Sequence, residues 1–175
     1  MSNPIKHLKT ITKHRHEVFK LCVKCGIPWQ GLIHDLSKYS PSEFLPSIHY
    51  WTGKMSPIDV EIDKKGYSEA WLHHKGRNKH HYKYWLDPVH CKAPVNMPKK
   101  YLVEMFCDRV AASKVYKGKS YTTSAPYEYY KSREEKEKPL MGEKTYKQLG
   151  EMFLMLQKYG EDVACNKIRE EIKKC

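Results

Sequence analysis

"PKKYLVEMFCDRVAASKVY", residues 98–116, is the stretch on which the fold turns. Leu102, Met105, Phe106, Val110 and Val115 recur near the 3.6-residue period, which predicts a helix with an apolar stripe. Gly118 follows as a terminator. Inside this apolar run stands Asp108, next to Phe106, Val110 and Ala111. A carboxylate in such surroundings is costly unless it is paired or bound to metal. A salt bridge to one of the many Lys or Arg side chains is the plain alternative.

Outward from this segment the chain reads as helix nearly throughout. Residues 4–25 have helical periodicity, with Ile5, Leu8, Ile11, Val18, Leu21, Cys22 and Cys25 on one face, His7 and His14 near it, and Gly26 and Pro28 as stop signals. A short helix is expected over Pro28–Lys38. "SPSE" (40–43) is a capping box with Ser40 as N-cap and Glu43 answering it; "SPID" (56–59) repeats the start signal. A further helix is expected through Tyr67–His74. The polar, Tyr-rich stretch 118–142 reads as a loop with one short helix, and two helices are expected at 143–158 and 161–173, split at Tyr159-Gly160. No strand alternation or internal repeat is present. The expectation is one all-α domain, a helical bundle, with residues 1–118 as its core and 119–175 packing on it.

At 175 residues the chain can bury a sizeable core. No stretch has the eighteen or so continuous apolar residues of a membrane span, and "MSNPIKHLKTITKHRHEVFK" has no secretory apolar region. The expected setting is cytoplasmic, with the six cysteines reduced. Cys22 and Cys25 have CxxC spacing without a second pair and are read as core thiols. A net charge of +12 attracts polyanions: nucleotides, nucleic acids, phosphorylated metabolites.

Chemistry concentrates in "LIHDLSKY" (32–39). His34 offers a neutral nitrogen, Asp35 a carboxylate able to bridge two cations, and Lys38 lies one helical turn away. His14 lies near the apolar face of the first helix. His14, then His34-Asp35, then Asp108, all on expected helices, resemble the H…HD…D pattern of the HD superfamily of metal-dependent phosphohydrolases. "HDLSK" is similar to the HD-x-x-K form of the branch that includes the HD-GYP proteins, although no GYP motif is present. The resemblance spans about residues 7–118. It implies an all-α bundle in which His14, His34, Asp35 and Asp108 hold one divalent metal, and in two-metal members Asp35 bridges to a second.

That second ion takes histidines lying between the HD pair and the last Asp. "HHKGRNKHH" (73–81) is the dense source in that interval. One ligand from each pair is expected, since neighbours on a helix point about 100° apart: His74 and His80, with His73 and His81 as substitutes and Gly76 as the bend. Lys75, Arg77 and Lys79 could instead grip phosphate directly. His16, His49 and His90 read as surface or structural.

The activity implied is hydrolysis of a phosphoester in a nucleotide, cyclic oligonucleotide or nucleic acid by water activated on one or two divalent ions (Mn, Fe, Ni, Zn or Mg). Asp35 and Lys38 are the expected catalytic residues. Lys38, Arg77, Asn78 and Arg109 are the expected substrate contacts, Asn78 otherwise being a turn residue. Glu43 could support the site, but the capping box already explains it. Two other readings stay open: an HD-fold di-iron oxygenase, and a non-catalytic nucleic-acid binder that stacks bases on Tyr121, Tyr127, Tyr129 and Tyr130.

Overall fold

The computed structural model describes residues 3–53 and 55–174, and among them every regular element is a helix. The central element, α6 (Lys99–Lys117), buries Leu102, Val103, Met105, Phe106, Cys107, Val110 and Ala111, each at most 1% exposed. Consecutive residues from 102 to 107 are buried, so α6 is enclosed on all sides rather than along one stripe. Four helices pack on it: α1 (Pro4–Lys24), the short α2 (Pro28–Ile33), α7 (Ala125–Ser132) and the long α9 (Glu143–Lys173). Phe106 and Phe153 meet with ring centroids 5.3 Å apart, and each fully buried side chain of this kind contributes roughly 2–3 kcal/mol.

Asn3 caps α1 through a bond from the Lys6 amide (2.9 Å), and Gly26 ends the helix region at φ 83°. The Ile27 amide then returns to the Cys22 carbonyl at 2.9 Å, closing a Schellman turn. The buried face of α1 runs through His7, Ile11, Val18, Leu21 and Cys22. Ile5 and Leu8, expected inside, are exposed, because the spacing of the others rotates them outward. The α1–α2 approach is close: a Cβ on Gly31 would stand 2.7 Å from Cys22 Cβ and 3.0 Å from Phe19 Cα.

The expected helix over Pro28–Lys38 ends early, at Ile33. His34 leaves the helix (φ −51°, ψ 128°), Asp35 is left-handed (φ 51°, ψ 26°), and a 3-10 turn follows over Leu36–Tyr39. Arg15 holds this break, donating from Nε to the His34 carbonyl (2.7 Å) and from Nη2 to that of Leu32 (3.0 Å). Three further helices follow: α3 (Pro41–Tyr50), α4 (Pro57–Lys65) and α5 (Glu69–Arg77). Ser40 is the N-cap of α3, but neither side chain of the expected capping box forms it: Ser40 makes no cap bond, and Glu43 is turned elsewhere.

Residues 118–142 are more ordered than expected. They form α7 (Ala125–Ser132), α8 (Glu134–Glu137) and two 3-10 turns. Their apolar content is the reason. Tyr130 is buried and donates to the Tyr146 carbonyl at 3.0 Å, and Tyr121 and Tyr127 pack against the core, leaving Tyr129 exposed. The split expected at Tyr159-Gly160 is present as a break inside α9, where Gly160 adopts φ 79°, ψ 174°, open to glycine and strained for other residues.

Cys22, Cys25, Cys107 and Cys165 are free thiols buried where α1, α6 and α9 meet; Cys91 is half-buried and Cys175 lies outside the described residues. No helix among the described residues is long and apolar enough to cross a membrane.

Candidate metal centre

Two ligand sets meet at one carboxylate. His14 comes from α1, Asp108 from α6, and His34 and Asp35 from the break after α2. His74 stands on α5, and His80 and His81 follow in the turn. One atom from each of His14, His34, Asp35 and Asp108 falls within 4.8 Å of the others, and so does one from each of Asp35, His74, His80 and His81. Asp35 belongs to both. Its Oδ2 faces His34 Nε2 (3.4 Å), while its Oδ1 faces His74 Nε2 (3.3 Å) and His80 Nε2 (3.5 Å). His14 Nε2 and His34 Nε2 lie 2.9 and 3.6 Å from Asp108 Oδ1. Donor atoms around a divalent ion with bonds of about 2.0–2.2 Å are roughly 2.8–3.6 Å apart, so these separations suit shared coordination.

The buried polar atoms give a second test of fit. His34 Nε2, His80 Nε2 and Asp35 Oδ1 are buried without a hydrogen-bond partner. Three orphaned atoms in one cluster cost several kcal/mol in sum unless something joins them. Nitrogens and carboxylate oxygens of this kind suit a first-row divalent ion. These buried His, Asp and Glu clusters could hold a metal ion.

The outer nitrogens are fixed by two glutamates. Glu104 Oε1, on α6, lies 2.9 Å from His34 Nδ1 and 3.1 Å from His80 Nδ1. Glu43, on α3, accepts from His74 Nδ1 through Oε2 and from His73 Nδ1 through Oε1, each at 2.7 Å. Protons held on Nδ1 leave Nε2 free to bind a metal, the arrangement that orients histidine ligands in general. The capping box accounts for Glu43 in the sequence, yet its side chain serves the two histidines instead. Glu104 was missed, although a glutamate within Leu102-Val103-Met105-Phe106, four residues before Asp108, signals a carboxylate on the same helix face.

The charge balance follows from burial and these contacts. Burial opposes charge on His34, but Asp35, Asp108 and Glu104 outweigh it and push its pKa up to about 10. His74 is raised in the same way by Asp35 and Glu43. Burial works against ionisation of Asp35 and Asp108 too, yet the surrounding histidines, with Lys38 beside Asp35, hold both well below the usual carboxylate range. Protons on the imidazoles and a metal ion are therefore alternative partners for the same carboxylates.

Other expected residues fall in several places. Lys38 Nζ lies 2.9 Å from Asp35 Oδ2, as the spacing implied. The second histidine pair supplies both of its members to the cluster rather than one. Residues 78–81 have left the helix, so the 100° rule does not apply to them, and the bend lies there rather than at Gly76, which sits inside α5. His73 points to Glu43 and takes no place in either set. Asn78 positions His74 rather than substrate, donating to its carbonyl (2.8 Å) and to Ser37 Oγ (2.9 Å). Arg77 is exposed and does not line the cavity beside the cluster. Arg109 does line it. His16, His49 and His90 are exposed.

That cavity has a volume of about 550 Å³, and its walls include His14, His74, His81, Asp108 and Lys38 from the cluster. A smaller side chamber of about 70 Å³ shares His14 and Lys38 and ends at His7, whose ring is 5% exposed with neither nitrogen bonded. No curated protein and no solved structure matches the chain. One family model does, over residues 3–155, a span that takes in every residue of both ligand sets: the chain belongs to the family of unknown function DUF5662.

Proposed function

We propose that this protein is a metal-dependent phosphohydrolase of the HD type that cleaves a phosphoester, most naturally in a nucleotide-sized substrate. The observation that carries the reading is that the buried Asp35 is shared between a His14/His34/Asp108 set and a His74/His80/His81 set, four of whose members, His14, His74, His81 and Asp108, line a cavity of about 550 Å³. That volume is in the range of small-molecule sites. Three of the four tyrosines that would form a stacking platform for nucleic acid are committed to the core instead.

Bound divalent ions supply Lewis acidity and bring the pKa of water toward neutrality. The chain's own residues do the rest. Asp35 and Asp108 supply negative charge to hold cations. Glu104 and Glu43 fix the histidine tautomers. Lys38, kept cationic by Asp35 against the cost of burial, lines the cavity and is placed to meet a phosphoryl oxygen as a compact charge. The same ligand types serve di-iron oxygen chemistry. The cationic wall of Lys38 and Arg109 favours a phosphate-bearing substrate over a neutral one.

The test is elemental analysis of protein purified without added metal, then a phosphoester panel with Mn²⁺, Mg²⁺, Ni²⁺ and Fe²⁺. Metal-dependent turnover that disappears in Asp35→Asn is expected. Two irons with O₂-dependent turnover, or no metal and no hydrolysis under any condition, would overturn the reading.

A further inference from the structure

The cavity wall carries a second polar assembly, apart from the histidine cluster. Arg109 Nη2, on α6, donates to Glu137 Oε2, on α8, at 2.8 Å. Arg109 Nη1 is buried and has no partner. Glu137 Oε1 also faces Arg133 Nε at 3.6 Å, beyond hydrogen-bond reach, and that Nε too is buried and unbonded. The Arg109 side chain is 14% exposed and that of Glu137 only 9%. All three residues line the cavity, as do Lys83 and Asp59, and Asp59 lies in electrostatic range of both Arg133 and Lys83.

Arg109, Arg133 and Lys83 against Glu137 and Asp59 leave one positive charge and buried N–H donors unused. An Arg–Glu bridge serving only to tie α6 to α8 would not require a second arginine or leave Nη1 of the first without an acceptor. Buried donors normally find acceptors. A planar guanidinium with a free N–H edge suits the oxygens of a phosphate or carboxylate. The ring of Tyr82, 5.9 Å from Arg109 Cζ, backs the guanidinium.

We infer that Arg109 and Arg133, set by Glu137, form an oxyanion-binding site in the cavity, which takes an anionic group of the substrate other than the one at the histidine–aspartate cluster. What occupies the cluster rests on the phosphohydrolase reading; the arginine site does not. The substrate is then a small molecule with two separate anionic groups, and cleavage occurs at only one.

Calorimetric titration of the full chain as purified, with inorganic phosphate and separately with acetate, tests this. Wild type, Asp35→Asn, Arg109→Gln and Arg133→Gln are compared, with metal content and circular dichroism measured on each. Saturable binding of at least one anion to wild type is expected. It should survive in Asp35→Asn and weaken tenfold or more in both arginine variants at unchanged metal content. Preference for phosphate marks a second phosphoryl group, and preference for acetate marks a carboxylate. No binding of either anion to wild type, wild-type binding in both arginine variants, or loss of all binding in Asp35→Asn overturns the site. Should Arg109→Gln unfold, Arg133→Gln decides, since its side chain is 42% exposed. Wild type that lacks metal and turnover but still binds phosphate through the arginines would sink the hydrolase reading and leave this site standing.

Discussion

Nδ1 of His34 lies 2.9 Å from Oε1 of Glu104, deep in the bundle, and this contact sets which nitrogen of His34 faces the cluster. Glu104→Gln keeps the shape but weakens the acceptor and can present an N–H in its place. Outer carboxylates of this kind are worth roughly 10–100-fold in metal affinity. Competition with a chromogenic chelator should show a loss of that size with helical content retained. Affinity equal to wild type would mean that Glu104 has no part in orienting His34 or His80.

Asp35 combines two demands, a left-handed backbone and a shared carboxylate. Asparagine tolerates the left-handed region and alanine does not, at about 1–2 kcal/mol. Asp35→Asn is therefore expected to lose bound metal and, with Lys38 and His34 left without their partner charge, some stability, but to melt above Asp35→Ala. Asp35→Ala should lose both metal and stability. Equal melting temperatures for the two variants would show that the backbone at 35 relaxes freely.

His81 and His73 are distinguished by what they face. His81 Nε2 lies 2.8 Å from His74 Nε2, within the second set, whereas His73 meets only Glu43. Metal content measured by mass spectrometry should fall by one ion in His81→Ala and stay at the wild-type value in His73→Ala. No loss of metal in His81→Ala would restore the His74 and His80 pair expected from the sequence.

His7 gives an acid limb to stability. Burial, aided by the charge on Lys38, lowers its pKa from 6.5 to about 4. The unfolded chain thus takes up a proton at higher pH than the folded chain. The stabilisation is complete above the unfolded value and is lost as pH falls toward 4, a change of ~3 kcal/mol. Urea denaturation of wild type and His7→Gln at pH 7.5 and 4.5 should show a smaller acid loss in the variant. Parallel losses would mean that His7 is solvated through its side chamber.

The helical elements were legible because periodicity and stop signals agree along α1, α6 and the two halves of α9. The 118–142 segment was not, since its tyrosines read as polar while Tyr130 is buried and Tyr121 and Tyr127 pack against the core. Within the candidate site, His14, His34, Asp35 and Asp108 could be picked out because the motif order carries them. Glu43 was hidden by a capping box that its sequence satisfies and its side chain ignores. His81 was hidden by a helical rule applied just past the helix end. Such contacts are set by the break at His34-Asp35 and the turn at 78–81, where local pattern no longer determines direction.

The four thiols at the meeting of α1, α6 and α9 make the core its own reporter. None is more than 1% exposed, so an alkylating reagent can reach them only when those helices part. Their labelling rate measures how often the bundle opens as a unit. A rate that falls on adding divalent metal would tie that opening to the site at the other side of α1 and α6, with no enzyme assay required.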